Sequence, residues 1–191
     1  YLPKKLVPII QTALPEAMCW VASIEQLYEN IASKTYTLAI GPGIGQHKTT
    51  IEQLKTILNI AKEALVIDAD GLNILAAHPS LLNQLPAQSI LTPHPGEFKR
   101  LVGAWDNDFQ KLKLLQEFAI NYQIIIVLKG AYTCICNSDG KIYFNSTGNN
   151  GMATAGSGDT LTGIISGLLA QKYTPLQAAK IGVYIHGLAG D

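Results

Sequence analysis

The chain has 191 residues, of which 48% are hydrophobic and 15% charged, with 14 basic and 14 acidic side chains in balance. A chain this long buries roughly 70% of its unfolded surface, and its neutrality excludes a charge field for nucleic acid or an anionic membrane. No uninterrupted apolar run approaches the roughly 18 residues that span a bilayer, and the opening YLPKKLVPII, broken by Pro8, does not read as a secretory signal.

Residues 3–14 read as a short helix ending before Pro15, and residues 17–22 as a brief strand. Ser23 is placed to cap a helix over 24–33 that carries Ile24, Leu27, Tyr28 and Ile31 on one face. A strand over 35–40 runs into Gly41-Pro42-Gly43-Ile44-Gly45, and a helix over 48–62 turns Ile51, Leu54, Ile57, Leu58 and Ala61 inward. An apolar strand over 64–67 ends in Asp68-Ala69-Asp70-Gly71, followed by a helix through Leu72 and Leu75. A strand over 89–91 ends in Thr92-Pro93-His94-Pro95-Gly96-Glu97, and helices near 95–102 and 107–122 lead to the strongest strand, 124–128. Lys129-Gly130-Ala131-Tyr132-Thr133 follows, then a hairpin about Ser138-Asp139-Gly140 and a last helix from Pro175. The cysteines are Cys19, Cys134 and Cys136. Cys134 and Cys136 share one face of a strand, with no His or Cys at zinc spacing, which predicts reduced core thiols in a cytoplasmic protein.

Short apolar strands alternating with amphipathic helices predict one domain over 1–191, built on a mostly parallel sheet covered on both faces. The polar and glycine-rich segments GPGIG, DADG, TPHPGE, KGAYT and GSGD mostly follow a strand or precede a helix. In an open α/β sheet those points share the edge at the carboxyl ends of the strands, where ligands bind.

Thr147 to Gln171, TGNNGMATAGSGDTLTGIISGLLAQ, joins a loop of small residues to an apolar helix with Leu161, Ile164, Ile165, Leu168 and Leu169 on one face. Its glycines, at the start of a helix, suit an anion hole in which main-chain N–H groups converge. Asp159 faces that hole as a candidate base; taken alone, an Asp at a helix start reads as a cap before it reads as a catalyst. Gly163 and Gly167 each cost about 1 kcal/mol relative to Ala inside a helix, which predicts close approach of a backbone or ligand there. Asp68 and Asp70 either bind ligand or cap the next helix, with Asp70 the one expected to face the site.

TPHPGE, KGAYT and above all NGMATAGSGDTLTGIISGLLAQ resemble the ADP-dependent NAD(P)H-hydrate dehydratases of the ribokinase-like superfamily, over about 21–191. The resemblance implies a three-layer α/β/α fold with a β-hairpin towards the C-terminus. It also implies a repair reaction on hydrated NADH or NADPH, in which ADP phosphorylates the ring hydroxyl and phosphate then leaves. Asp159 would act as base. Ala155, Gly156, Ser157 and Gly158 would form the anion hole. Lys129, Gly130, Ala131, Tyr132, Thr133 and Gly158 would bind the adenine nucleotide, and Gly43, His94 and Asp159 the hydrated dinucleotide. Glu97 would act on Mg²⁺ through its waters, or simply favour the start of its helix. The bland alternative for His94 is an exposed turn between two prolines, and for Lys129 a solvated strand end.

The family also implies a homotetramer and, in many bacterial relatives, an epimerase domain as neighbour or partner. Two departures stand out: Asn150 replaces a frequent proline, and the family's opening βαβ segment and closing tail have no counterpart, which makes the domain truncated at both ends. The alternative functions are a ribokinase-like small-molecule kinase and a nucleotide-binding module without turnover.

Overall fold

Six strands form one sheet in chain order: β1 (Leu38–Ile40), β2 (Leu65–Ile67), β3 (Ile90–Leu91), β4 (Ile125–Leu128), β5 (Cys134–Cys136) and β6 (Ile142–Phe144). β1 to β4 run parallel, and β5 and β6 return antiparallel as a hairpin. This computed structural model describes residues 4–21, 23–33 and 36–191; the expectations touching Pro3, Ala22 and Thr35 lie outside them.

The chain divides into two compact units, Tyr1–Thr35 and Tyr36–Asp191. The first holds a 3-10 turn, Lys4–Leu6, and helices α1 (Val7–Ala13) and α2 (Ile24–Ser33). Ser23 closes α2 reciprocally: the Gln26 N–H donates to Ser23 Oγ (3.3 Å) and the Ser23 N–H to Gln26 Oε1 (3.1 Å). The strand expected at 17–22 does not form over 17–21. A strand needs a ladder partner, and the described residues of this unit contain none.

In the second unit, side-chain alternation along each strand feeds two cores. Leu65, Ile67, Leu91, Ile126, Leu128, Cys134 and Cys136 join one buried cluster, whereas Val66, Ile90, Ile125, Val127 and Ile135 join the other. The first cluster is closed by α3 (Lys48–Ile60), α4 (Ala69–Ala77), α5 (Pro95–Val102) and α6 (Asp108–Tyr122). The second is closed by α7 (Ser157–Ala170) and α8 (Pro175–Gly190), through Leu161, Ile165, Ala178, Ala179 and Val183. Phe98, fully buried, packs edge-on to Phe118 at 6.3 Å between centroids; removing such a ring costs about 3–5 kcal/mol.

The three-layer arrangement and the hairpin match the sequence reading. The apolar strands are short but sealed on both faces, so they carry no polar alternation. Among the described residues no helix is long and apolar enough to cross a membrane.

Candidate active site

The five glycine-rich or polar segments meet at the carboxyl ends of β1 to β4. The loop after β1 lies directly on the turn after β2. The Asp68 N–H donates to the Ile40 carbonyl (3.0 Å), and a Cβ on Gly41 would stand 1.7 Å from the Asp68 carbonyl oxygen, so only glycine fits. Gly43 is exposed in this loop with a left-handed φ of 69°. The Gly45 N–H donates to Asp70 Oδ2 at 2.9 Å. Asp70 therefore fastens the loop, and it is Asp68 that stands at the centre of the site.

Asp68 is 1% exposed. Its Oδ1 accepts from Lys129 Nζ (2.8 Å) and its Oδ2 from Thr162 Oγ1 (2.9 Å). The buried carboxylate thus ties the end of β2 to the end of β4 and to α7, and it has the paired charge that a buried ion requires. Beside Ala69, whose φ of 47° is unusual for a side chain with a Cβ, it begins α4 without capping it. Of the two aspartates weighed from the sequence the structure brings Asp68 rather than Asp70 into the site, and Thr162 is absent from the sequence reading, yet alternation contains the signal. Asp68 and Lys129 each lie two positions after a residue, Val66 and Val127, that faces the α7 side. Thr162 follows Leu161 and precedes Ile165 by three, both buried against the sheet.

His94 and Glu97 form the start of α5. His94 Nδ1 accepts from the Gly96 and Glu97 N–H groups (2.9 and 3.3 Å), and Glu97 Oε2 accepts from the His94 N–H (2.8 Å). Because Nδ1 is an acceptor, the neutral ring carries its proton on Nε2, on a side chain that is half exposed. Glu97 is 7% exposed and lies 3.9 Å from Lys129 Nζ through Oε2. Both carboxylate oxygens face His94, so the helix-start reading of Glu97 is realised, and the group also borders the lysine.

Lys129 is no solvated strand end: its side chain is 23% exposed and lies between Asp68 and Glu97. The four residues after it leave the sheet in a turn closed by Thr133 Oγ1 donating to the Gly130 carbonyl (3.1 Å). Gly130, Ala131 and Tyr132 are exposed. The glycine-rich segment before α7 is held by α8: Thr147 Oγ1 donates to the Tyr184 carbonyl (3.0 Å) and the Gly148 N–H to Asp191 Oδ2 (2.9 Å).

α5, α6 and α8 are closed by the side chains of His94, Asn107 and Thr174, whereas α7 begins on Gly156 with φ 87° and no side-chain cap. Ala155 and Gly156 are exposed and Ser157 half-buried, with the Ser157 N–H turned back to the Thr154 carbonyl at 3.3 Å. The Gly158 backbone lies over the lysine, and a Cβ there would be 3.3 Å from Lys129 Nζ and 3.7 Å from Asp68 Oδ2. Asp159 is exposed in the first turn. A second residue absent from the sequence reading is His186 of α8, whose Nε2 lies 3.3 Å from Ser157 Oγ. Burial holds its pKa below the ordinary histidine value, against a hydrogen bond to the Ser157 backbone that raises it.

Among the described residues, Gly163 and Gly167 meet no other part of this chain. Both are exposed on the side of α7 away from the sheet, and nothing lies within 4 Å of a Cβ built at either. Among the described residues no group of three or more His, Cys, Asp or Glu side chains could hold a metal.

A backbone turn at a helix start, an ammonium beneath it, an exposed carboxylate beside it and the His186 imidazole against Ser157 suit transfer of a phosphoryl group to a hydroxyl. The sequence model of the NAD(P)H-hydrate dehydratase family matches residues 3–191. The bifunctional NAD(P)H-hydrate repair enzyme of Moorella thermoacetica is 42% identical over 195 residues, covering 100% of this chain and 37% of that protein. The ADP-dependent (S)-NAD(P)H-hydrate dehydratase of Bacillus subtilis is 36% identical over 191 residues, covering 98% of this chain and 67% of that protein. The chain therefore spans little more than a third of the bifunctional relative.

Among solved structures, the Bacillus subtilis ADP/ATP-dependent NAD(P)H-hydrate dehydratase co-crystallised with ATP and Mg²⁺ superposes with a TM-score of 0.80 at 33% identity, over 97% of this chain and 66% of that one. A ribokinase from Thermotoga maritima, 16% identical, superposes at 0.58 over 88% of this chain and 55% of its own, which is a likeness of fold.

Proposed function

This chain belongs to the NAD(P)H-hydrate dehydratase family, and on that premise we propose that it carries out ADP-dependent dehydration of hydrated NADH or NADPH. The observation that carries the reading is the Gly158 backbone seated over the Lys129 ammonium at the uncapped start of α7, with Asp159 one residue on.

The ring hydroxyl is a poor leaving group in water. Its oxygen attacks the terminal phosphorus of ADP, the bond to the AMP oxygen breaks, and the hydroxyl proton passes to Asp159. Phosphoryl transfer is loose, so a carboxylate at a helix start is base enough. The main-chain N–H groups of Ala155, Gly156 and Gly158 and the Lys129 ammonium hold the oxygens on which charge accumulates, and one preorganised donor of this kind is worth about 100-fold or more in rate. The Ser157 N–H, by contrast, is engaged by the Thr154 carbonyl. The ring nitrogen then expels phosphate, a proton leaves the neighbouring carbon, and the double bond of NAD(P)H is restored beside AMP and phosphate. His94 Nε2–H and the loop at Gly43 orient the dinucleotide, and residues 130–133 carry the adenine nucleotide.

Magnesium would travel with the nucleotide phosphates, neutralising charge on the transferring group. A solitary, nearly buried Glu97 beside the lysine suits an ion that keeps its waters, because Mg²⁺ takes one or two carboxylates rather than a protein cage.

The test is a reaction with hydrated NADH, ADP and Mg²⁺, followed by NADH absorbance and by AMP and phosphate release. Recovery of NADH in step with AMP is the expected result. A phosphorylated product without NADH would mean a kinase, and nucleotide binding without either product would mean a non-catalytic module.

A further inference from the structure

We propose that Asp68 is a positioning residue, which fixes the Lys129 ammonium under the first turn of α7 and so sets where a nucleotide phosphoryl group meets positive charge. The inference rests on the reading above only in taking that group to lie over Gly158.

Lysine is a point charge on a flexible stem, and its position is set by what it pairs with. Among the described residues two carboxylates are in reach of Lys129 Nζ: Asp68 Oδ1 at 2.8 Å and Glu97 Oε2 at 3.9 Å. Asp68 is the nearer and the more firmly held. Its N–H donates to the Ile40 carbonyl (3.0 Å), its own carbonyl accepts from the Gly71 N–H (3.0 Å), and its second carboxylate oxygen accepts from Thr162 Oγ1 (2.9 Å).

Thr162 sits one turn along α7 from Gly158, so one carboxylate references the lysine to the same helix whose N-terminus lies above it. Glu97 is committed to the His94 N–H at 2.8 Å and belongs to α5, which has no such tie to α7. With Asp68 uncharged, Glu97 is the one near anion left to the ammonium among the described residues, and the ammonium leaves its place beneath Gly158.

A double-mutant cycle tests this, with Asp68→Asn, Lys129→Gln and the pair, reading kcat, KM for ADP and ADP binding by calorimetry. Acting through the lysine, Asp68→Asn should lower kcat roughly 30-fold or more in the wild-type background and less than roughly 3-fold when Lys129 is already Gln. Equal losses in both backgrounds would reduce Asp68 to a stability residue and overturn the proposal. Thr162→Val should reproduce part of the kcat loss and Thr162→Ser should restore it. These variants replace Asp68→Asn in the same cycle should that protein not fold, and additivity there overturns the proposal equally. Calorimetry separates the two readings: a non-additive cycle in ADP binding without any dehydration keeps the positioning role and discards the proposed reaction. A wild-type protein that does not bind ADP discards both.

Discussion

The ammonium of Lys129 lies 3.3 Å from the point that a Cβ on Gly158 would occupy. That distance is tighter than an ordinary contact, and the far end of a lysine can yield to it only by moving. Gly158 has no positive φ, so the backbone accepts alanine there, whereas Gly156 has φ 87° and open space around it. The two glycines are therefore needed for different reasons. Gly158→Ala should leave thermal stability nearly unchanged and weaken ADP binding and kcat about 10-fold or more. Gly156→Ala should cost about 1–2 kcal/mol from backbone strain. Denaturant melts of both variants beside their kinetics check the contrast; similar stability losses for the two would contradict it.

Asp159 is exposed in the first turn of α7, free to meet a ligand hydroxyl. Asp159→Asn keeps the size of the side chain and removes its capacity to take a proton. Turnover should fall at least about 100-fold, while ADP affinity, measured by calorimetry, stays close to that of the wild type. Unchanged turnover would remove Asp159 from the role of base.

Most of the second unit was legible because its strands and helices are short, separately punctuated and apolar on the faces they bury. Leu54, Ile57 and Leu58 face the core as their spacing implies, and Asn137 and Lys141 close the hairpin about Gly140. The convergence of five loops was legible too, since the carboxyl ends of parallel strands share one edge. What spacing could not give was partner choice. Asp68 and Asp70 are two residues apart on a tight turn, and it takes the packing of the loop at Gly41 on the Asp68 backbone to bring Gly45 to Asp70 while Asp68 meets Lys129. His186 was invisible for a similar reason, since its pairing with Ser157 exists only once α7 and α8 pack together. The segment 17–21 failed because an apolar run becomes a strand only where another strand pairs with it.

Cys134 and Cys136 lie in the core beneath α6, and burial raises both thiols, Cys136 to about 12, with Asp139 adding to it. The reactive species is the thiolate, so in the folded protein neither should be alkylated by iodoacetamide at pH 8 over a period in which the denatured protein reacts fully. Mass spectrometry of tryptic peptides reads the difference, and rapid native labelling at Cys136 would contradict the buried placement.

The partial burial of His186 against α7 gives stability a pH dependence whose sign follows from its lowered pKa. Burial depresses the folded pKa of His186 below the ordinary 6.5, and the unfolded chain restores that ordinary value. Between the two values the unfolded state binds more protons than the folded state, so stability falls as pH drops through 6.5 and levels off below the folded pKa. Above 6.5 both states carry a neutral ring and the contribution is flat. His186→Gln retains an amide that can bond to Ser157 Oγ but does not titrate. The variant should therefore melt with a smaller loss of stability between pH 7 and pH 5 than the wild type. Other titrating groups act on both proteins alike, so the difference between the two melting curves isolates this one. A wild-type curve that falls no faster than the variant's would show that the ring meets water as freely in the folded protein as in the unfolded chain.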